Sequence, residues 1–143
     1  MRAHPNALTD YIHFLNIPTR WSDNDVYGHI NNAVYYLYFD TVVNDYLIQQ
    51  ELLDLETSDI IGLVVKTSCD YFAPASFPDI IKAGLRVANL GNSSVTYEIG
   101  LFRNDEEEAC AQGQFTHVYV DKRFRRPVEL SDAMRTALQS LKK

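Results

Sequence analysis

W-S-D-N-D-V-Y-G-H-I-N-N-A-V-Y-Y-L-Y-F, running from Trp21 to Phe39, changes character halfway along. The first half is a polar loop with one glycine, two carboxylates (Asp23 and Asp25) and an imidazole (His29). The second half is apolar and aromatic. Asn31 and Asn32 stand at the junction, where a helix takes a residue whose side chain accepts a backbone N–H. The spacing therefore predicts a helix that starts at Asn31 or Asn32, with a carboxylate loop directly ahead of it. A helix N-terminus carries unpaired N–H groups and partial positive charge, so such a junction can hold an oxyanion. The stretch reads as a candidate active site, and the remainder as its scaffold.

Outward from the junction, the helix extends to about Gln50. Its first two turns are apolar or aromatic all round, and Asp40, Thr41, Asn44, Asp45 and Gln49 keep to one stripe. A helix apolar over most of its circumference is expected to be buried. At ~1.5 Å per residue it is about 30 Å long and needs a large apolar surface. Strands supply that surface. Leu15, Ile17, Thr19 and Trp21 alternate with other residues and predict a strand from His13 to Trp21, which Pro18 confines to an edge. Further strands are expected at about 60–72, 81–87, 95–101 and 109–120, with turns at L-G-N-S-S and N-D-E-E-E. Ser131 and Asp132 open a short last helix, and residues 1–10 read as a flexible tail. The order predicts an α+β fold, a single domain over 1–143 with an antiparallel sheet packed around the central helix.

The totals narrow the function. Apolar residues are 46% and charged residues 22% of 143, ordinary for a soluble globular chain. No apolar run reaches the ~18 residues a membrane span needs, and the N-terminus lacks a signal-peptide block. Cys69 and Cys110 cannot build a disulfide framework and suit a reducing cytoplasm. A net charge of −6 argues against nucleic acid as a partner. Lys122, Arg123, Arg125 and Arg126 nevertheless gather four of the 13 cationic residues in one short segment, which can hold a phosphate-bearing ligand.

Other chemistries fit the junction poorly. Asp23-Asn24-Asp25 begins like a calcium loop, but Tyr27 and Val34 occupy positions where ligands are required. The D-x-D of dehalogenase-type phosphatases follows a buried apolar strand, whereas Thr19-Arg20-Trp21-Ser22 precedes it here. His4, His13, His29 and His117 have no metal-ligand spacing, and neither a G-x-S-x-G elbow nor a Cys near a His is present.

The 21–38 stretch closely resembles the signature of hotdog-fold acyl-CoA thioesterases, the 4-hydroxybenzoyl-CoA thioesterase group and its bacterial acyl-CoA hydrolase relatives. The resemblance continues more weakly through Y-F-A-P-A-S-F-P-D (71–79), L-G-N-S-S-V-T-Y-E (90–98) and V-D-K-R-F-R-R-P-V (120–128). It implies a long helix wrapped by a curved antiparallel sheet of about five strands. It also implies homodimers joined sheet edge to sheet edge, often paired into tetramers, with sites at subunit interfaces. The family's catalytic carboxylate falls on Asp25, and its carbonyl-polarising helix amide falls near Asn32. His29 stands where some members have an apolar residue. Tyr27, Gly28 and Tyr35 fall among the expected substrate contacts, and Arg125 and Arg126 are placed on the phosphates of CoA. Asp23 is expected to bond its own loop.

The chemistry is coherent without the resemblance. The leaving group is a thiolate whose conjugate acid has a pKa near ~8.5 for a cysteine-like thiol, so no strong general acid is needed. One carboxylate, attacking directly or deprotonating water, and an oxyanion hole suffice. The expected substrate is an acyl-CoA, or the same acyl group on an acyl carrier protein, with no cofactor and no metal. A hotdog hydratase or dehydratase using Asp25 and His29, and a non-catalytic acyl-CoA-binding or acyl-carrier-binding module, are the alternative readings.

Overall fold

A computed structural model describes residues 3–54 and 56–143. Five strands form one curved antiparallel sheet: β1 (His13–Pro18), β2 (Ile60–Tyr71), β3 (Ile80–Leu90), β4 (Ser94–Arg103) and β5 (Ala111–Asp121). Their spatial order is β1-β3-β4-β5-β2. The long helix α1 (Asn32–Gln49) lies between β1 and β2 in sequence, and a short helix α2 (Asp132–Gln139) follows β5.

Period-two alternation builds the inner face of the sheet. Ile81, Ala83, Leu85 and Val87 on β3 and Val95, Tyr97, Ile99 and Leu101 on β4 are all buried. They pack in one cluster with Tyr35, Tyr38, Phe39, Val42, Val43, Tyr46 and Leu47 of α1. The spacing of those helix positions draws a single apolar stripe. Burial is one-sided within the protomer: Leu37 is 54% and Ile48 47% exposed, so the expectation of a helix covered over most of its circumference does not hold in a single chain. Tyr46 donates its hydroxyl to the Ala137 carbonyl and ties α1 to α2. Among the described residues no helix is long and apolar enough to cross a membrane.

Two further expectations change. β1 ends at Pro18, not Trp21, because the next residues fold into a turn at Trp21–Asp23. The 1–10 tail is also corrected where it is described. Leu8 N–H donates to the Glu107 carbonyl, Ala109 N–H to the Asn6 carbonyl, and Asn6 N–H to Gln112 Oε1. The reason is Tyr11, whose buried ring fills the outer face of the sheet over Gly100; a Cβ at that glycine would come within 2.5 Å of the ring.

The two sheet edges differ in kind. β1 is short, whereas β2 pairs only with β5 and exposes Ile60, Val64, Val65 and Tyr71 along twelve residues. A long apolar edge of this sort is ready to pair with another chain.

Candidate active site

The loop between β1 and α1 is built around Asp23. Its carboxylate is 1% exposed. It accepts hydrogen bonds from Arg20 N–H (2.9 Å), Arg20 Nε (3.1 Å) and the Tyr38 hydroxyl (2.8 Å), and pairs with the Arg20 guanidinium at 3.0 Å. Burial opposes ionisation of Asp23, but the Arg20 amide, the Tyr38 hydroxyl and the guanidinium outweigh it and hold the carboxyl below its usual range. The Asp23 carbonyl also accepts Asn31 N–H at 2.9 Å, so this residue fixes where the helix can begin.

Asn31 is the N-cap: its Oδ1 accepts Ala33 N–H at 2.9 Å, and its carbonyl accepts Val34 N–H at 2.9 Å. Asn32 is the first helical residue, and its N–H finds no acceptor among the described residues. One donor of the first turn is thus left over, in the place where a helix stabilises negative charge.

Asp25 lies on a tight turn in the loop ahead of α1. Asp25 N–H donates to the His29 carbonyl (2.8 Å) and Gly28 N–H to the Asp25 carbonyl (3.1 Å). Gly28 has φ of +81°, a conformation that costs glycine little and other residues more. The Asp25 carboxylate is half-buried and accepts one hydrogen bond, from Tyr27 N–H at 2.9 Å, leaving most of its lone pairs unengaged. It faces a cleft of about 960 Å³ lined by Trp21, Val26, Tyr27, Gly28, Asn31 and Val34. Its walls are mixed: Trp21, Val26, Tyr27 and Val34 are apolar or aromatic, Ser22, Asn24 and Asn31 are polar, and Trp21 and Tyr27 stand largely exposed.

A second groove, about 500 Å³ between Leu8, Tyr11 and Phe14 on the outer face, brings Lys82 and Lys143 but no carboxylate.

The remaining sequence-derived residues fall in different places. His29 is exposed; its carbonyl holds the Asp25 turn, while its ring makes no hydrogen bond to Asp25. Tyr35 does not line the cleft. It is 3% exposed and packs edge-on against Tyr38 and Tyr71, because the apolar stripe of α1 turns it inward. Arg125 and Arg126 are not brought to Asp25 by this chain. Their turn is held by Asp121, which accepts Phe124 N–H and Arg126 N–H, at the β2 end marked by the Ile60–Asp121 pair. The Asp25 loop sits at the other end, where the Tyr71 hydroxyl donates to the Asn32 carbonyl at 3.1 Å. At ~3.3 Å per residue the length of β2 separates the two by roughly 35 Å. Both thiols are pushed up to about 11 by burial, which suits neither Cys69 nor Cys110 to nucleophilic attack. Among the described residues no group of three or more metal-binding side chains forms.

The sequence reading missed the partners of the Asp25 loop. Tyr71 approaches from the end of β2, and Ala75 and Ser76 from the segment after it; Ile30 N–H donates to the Ala75 carbonyl at 2.8 Å. Their signal was the 71–79 stretch, which carried no chemistry of its own in the sequence.

Known proteins share this architecture. The model of the thioesterase-like superfamily matches residues 19–138. The crystal structure of the PA5185 protein from Pseudomonas aeruginosa strain PAO1 superposes with a TM-score of 0.95 at 53% identity, over 99% of this chain and 98% of that one. The 1,4-dihydroxy-2-naphthoyl-CoA thioesterase Slr0204 from Synechocystis shares the fold, with a TM-score of 0.80 at 18% identity over 90% and 96% of the two chains. The uncharacterized protein YsmA of Bacillus subtilis is 26% identical over 130 residues, 91% of this chain and 87% of its own length.

Proposed function

This chain belongs to the thioesterase-like superfamily, and we propose that it is an acyl-CoA thioesterase in which Asp25 works against the N-terminus of α1. The observation that carries this reading is a carboxylate with free lone pairs, facing a cleft on the loop that leads into α1, whose first N–H, that of Asn32, finds no acceptor among the described residues. The thioester carbonyl accepts the Asn32 N–H, which stabilises the oxyanion as it forms. Asp25 either adds to that carbonyl, giving a mixed anhydride and the CoA thiolate, or takes a proton from the water that attacks it. Label from isotopic water found in Asp25 after a single turnover marks the anhydride route with water attacking the Asp25 carbonyl, and trapping of an acylated Asp25 detects the anhydride whichever carbonyl the water attacks. His29 acts at the rim of the cleft, and Tyr27 and Gly28 line the acyl path. An Asp25–His29 pair of the kind a hydratase needs has no support in the geometry, since the carboxylate bonds to the Tyr27 amide instead.

The reading includes a homodimer joined at β2, alone or as half of a tetramer. Antiparallel pairing of two β2 edges about a two-fold axis runs the strands in opposite directions. The partner subunit's Arg125 and Arg126 then approach the Asp25 end of this one, where they meet the phosphates of CoA. Each curved sheet wraps its α1, and the exposed Val64 and Val65 are covered. A monomer at micromolar concentration by light scattering contradicts this assembly. The reading also places the protein in the cytoplasm, where its thiols stay free.

The test is thiol release from a panel of acyl-CoA and acyl-carrier substrates of varied length and aromaticity. Free thiol with at least one of them is the expected result; hydration of an enoyl-CoA without thiol release supports the hydratase, and tight binding without turnover supports the binding module. Arg125→Ala and Arg126→Ala together are expected to raise KM about tenfold with kcat nearly intact, the pattern of lost uniform binding.

A further inference from the structure

The turn that carries Asp25 runs from Asn24 to Gly28, and its two ends are fastened by a single side chain among the described residues. Ser76 Oγ donates to the Gly28 carbonyl at 2.7 Å and accepts from Asn24 Nδ2 at 3.3 Å. A hydroxyl has one proton to give, and the alternative acceptor, the Phe77 carbonyl, is farther away at 3.4 Å. Asn24 is held from its other side by Phe77 N–H, which donates to Asn24 Oδ1 at 3.0 Å. Ser76 is in turn fixed by its own N–H, which donates to Asp79 Oδ2 at 3.0 Å, while Asn104 Nδ2 donates to Asp79 Oδ1 at 3.1 Å. The chain of contacts therefore runs from the end of β4, through Asp79 and Ser76, to both flanks of Asp25.

We propose that Ser76 is a positioning residue for Asp25: its hydroxyl clasps the two ends of the turn and so fixes where the carboxylate stands relative to the Asn32 N–H. The inference rests on the thioesterase reading. Its physical content is that the bonds of Asp25 itself stay within its loop: the carboxylate accepts from Tyr27 N–H, and the backbone bonds to Gly28 and His29. The place of the turn as a body is then set at its flanks, by Ile30 N–H on the Ala75 carbonyl and by the contacts of Ser76 with Asn24 and Gly28. Displacement of a reacting group by about 1 Å costs on the order of 10²-fold in rate, whereas binding of the remote parts of the substrate is unaffected.

Ser76→Ala and Ser76→Thr test this, with amide hydrogen exchange as a readout independent of turnover. Ser76→Ala is expected to speed exchange at the Asp25 and Gly28 amides and to lower kcat about 10- to 100-fold. KM should stay within about threefold, as expected when positioning rather than uniform binding is lost. Ser76→Thr keeps the hydroxyl and should restore both exchange and kcat. Unchanged exchange and kcat in Ser76→Ala overturn the proposal. So does an equal loss in a folded Ser76→Thr, which makes the space at residue 76 the cause rather than its hydroxyl. If Ser76→Ala does not fold, Asn24→Ala takes its place, with faster exchange at Gly28 supporting the clasp and unchanged exchange refuting it. An Asp25→Asn protein as active as the wild type removes the functional reading, while the exchange data still decide the clasp.

Discussion

Asp23 and Asp25 are two residues apart and chemically identical, yet they occupy opposite environments. Asp23 is buried, has every oxygen engaged by Arg20 or Tyr38, and anchors the helix start through its carbonyl. Asp25 is half-buried, engages one oxygen on a local amide and faces the cleft. A carboxylate saturated with donors is a poor base and a poor nucleophile, because its lone pairs are already spent; one with free lone pairs is suited to both roles. The difference teaches that the D-x-D is a division of labour, one residue building the loop and the other left free by it.

The largest effect expected comes from striking the partner of Asp25 without touching Asp23. Asn32→Pro deletes the N–H at the first helical position, where proline is well tolerated. Asn31 already has φ −60° and ψ 140°, a conformation compatible with a following proline. Loss of one oxyanion donor should lower kcat by about 10²- to 10³-fold with the helix intact by circular dichroism. A rate within a few-fold of wild type removes the amide from the account.

Acid stability separates Asp23 from a second buried group. His117 is 1% exposed, its Nδ1 lies 3.1 Å from the Tyr119 hydroxyl, and burial lowers its pKa to about 4. The folded state prefers the neutral ring, so its contribution is fully present above the unfolded value of ~6.5 and is lost as pH falls from there to about 4, on the order of 3 kcal/mol. Asp23 has a lowered folded pKa, so its contribution is present above ~3.9 and is lost only as pH falls through that lower value. Chemical denaturation at a series of pH values should show two steps. His117→Phe should flatten the step above pH ~4 and leave the lower one; a wild-type stability that is level across pH ~6.5 to 4 contradicts the assignment.

A smaller effect sharpens the contrast from the Asp23 side. Tyr38→Phe removes the hydroxyl that donates to Asp23 Oδ2 and should cost about 1–2 kcal/mol of stability with kcat nearly unchanged. A rate loss that outruns the stability loss shows that the Asp23 network reaches the chemistry.

The fold was legible because its signals are periodic. The alternation of Ile81 to Val87 and Val95 to Leu101 marked two central strands, and the Asn31 cap marked the start of α1 within a residue. The resemblance carried the hotdog topology, and the order β1-β3-β4-β5-β2 with the long helix agrees with it. What the sequence concealed was set by contacts between distant residues. Nothing local announces that Tyr11 lies over Gly100, and so the first ten residues read as a tail. Nor does Ser76 reveal that it meets Gly28, 48 positions away. The inward turn of Tyr35 follows from where the sheet lies, and the distance of Arg125 from Asp25 follows from which end of β2 each occupies. The sequence reading already set Asp25 apart from Asp23, but that Arg20 and Tyr38 close on Asp23 and leave Asp25 free is set by the fold.

The central claim, that Asp25 performs the chemistry and Asp23 the architecture, is tested most directly by measuring kcat and thermal midpoint together for Asp25→Asn and Asp23→Asn on a hydrolysed acyl-CoA. The account predicts that Asp25→Asn loses at least ~10²-fold in kcat with its midpoint nearly unchanged. It predicts that Asp23→Asn loses stability first and rate to a smaller extent. An Asp25→Asn protein that keeps most of its activity, beside a folded and inactive Asp23→Asn, would reverse the two roles.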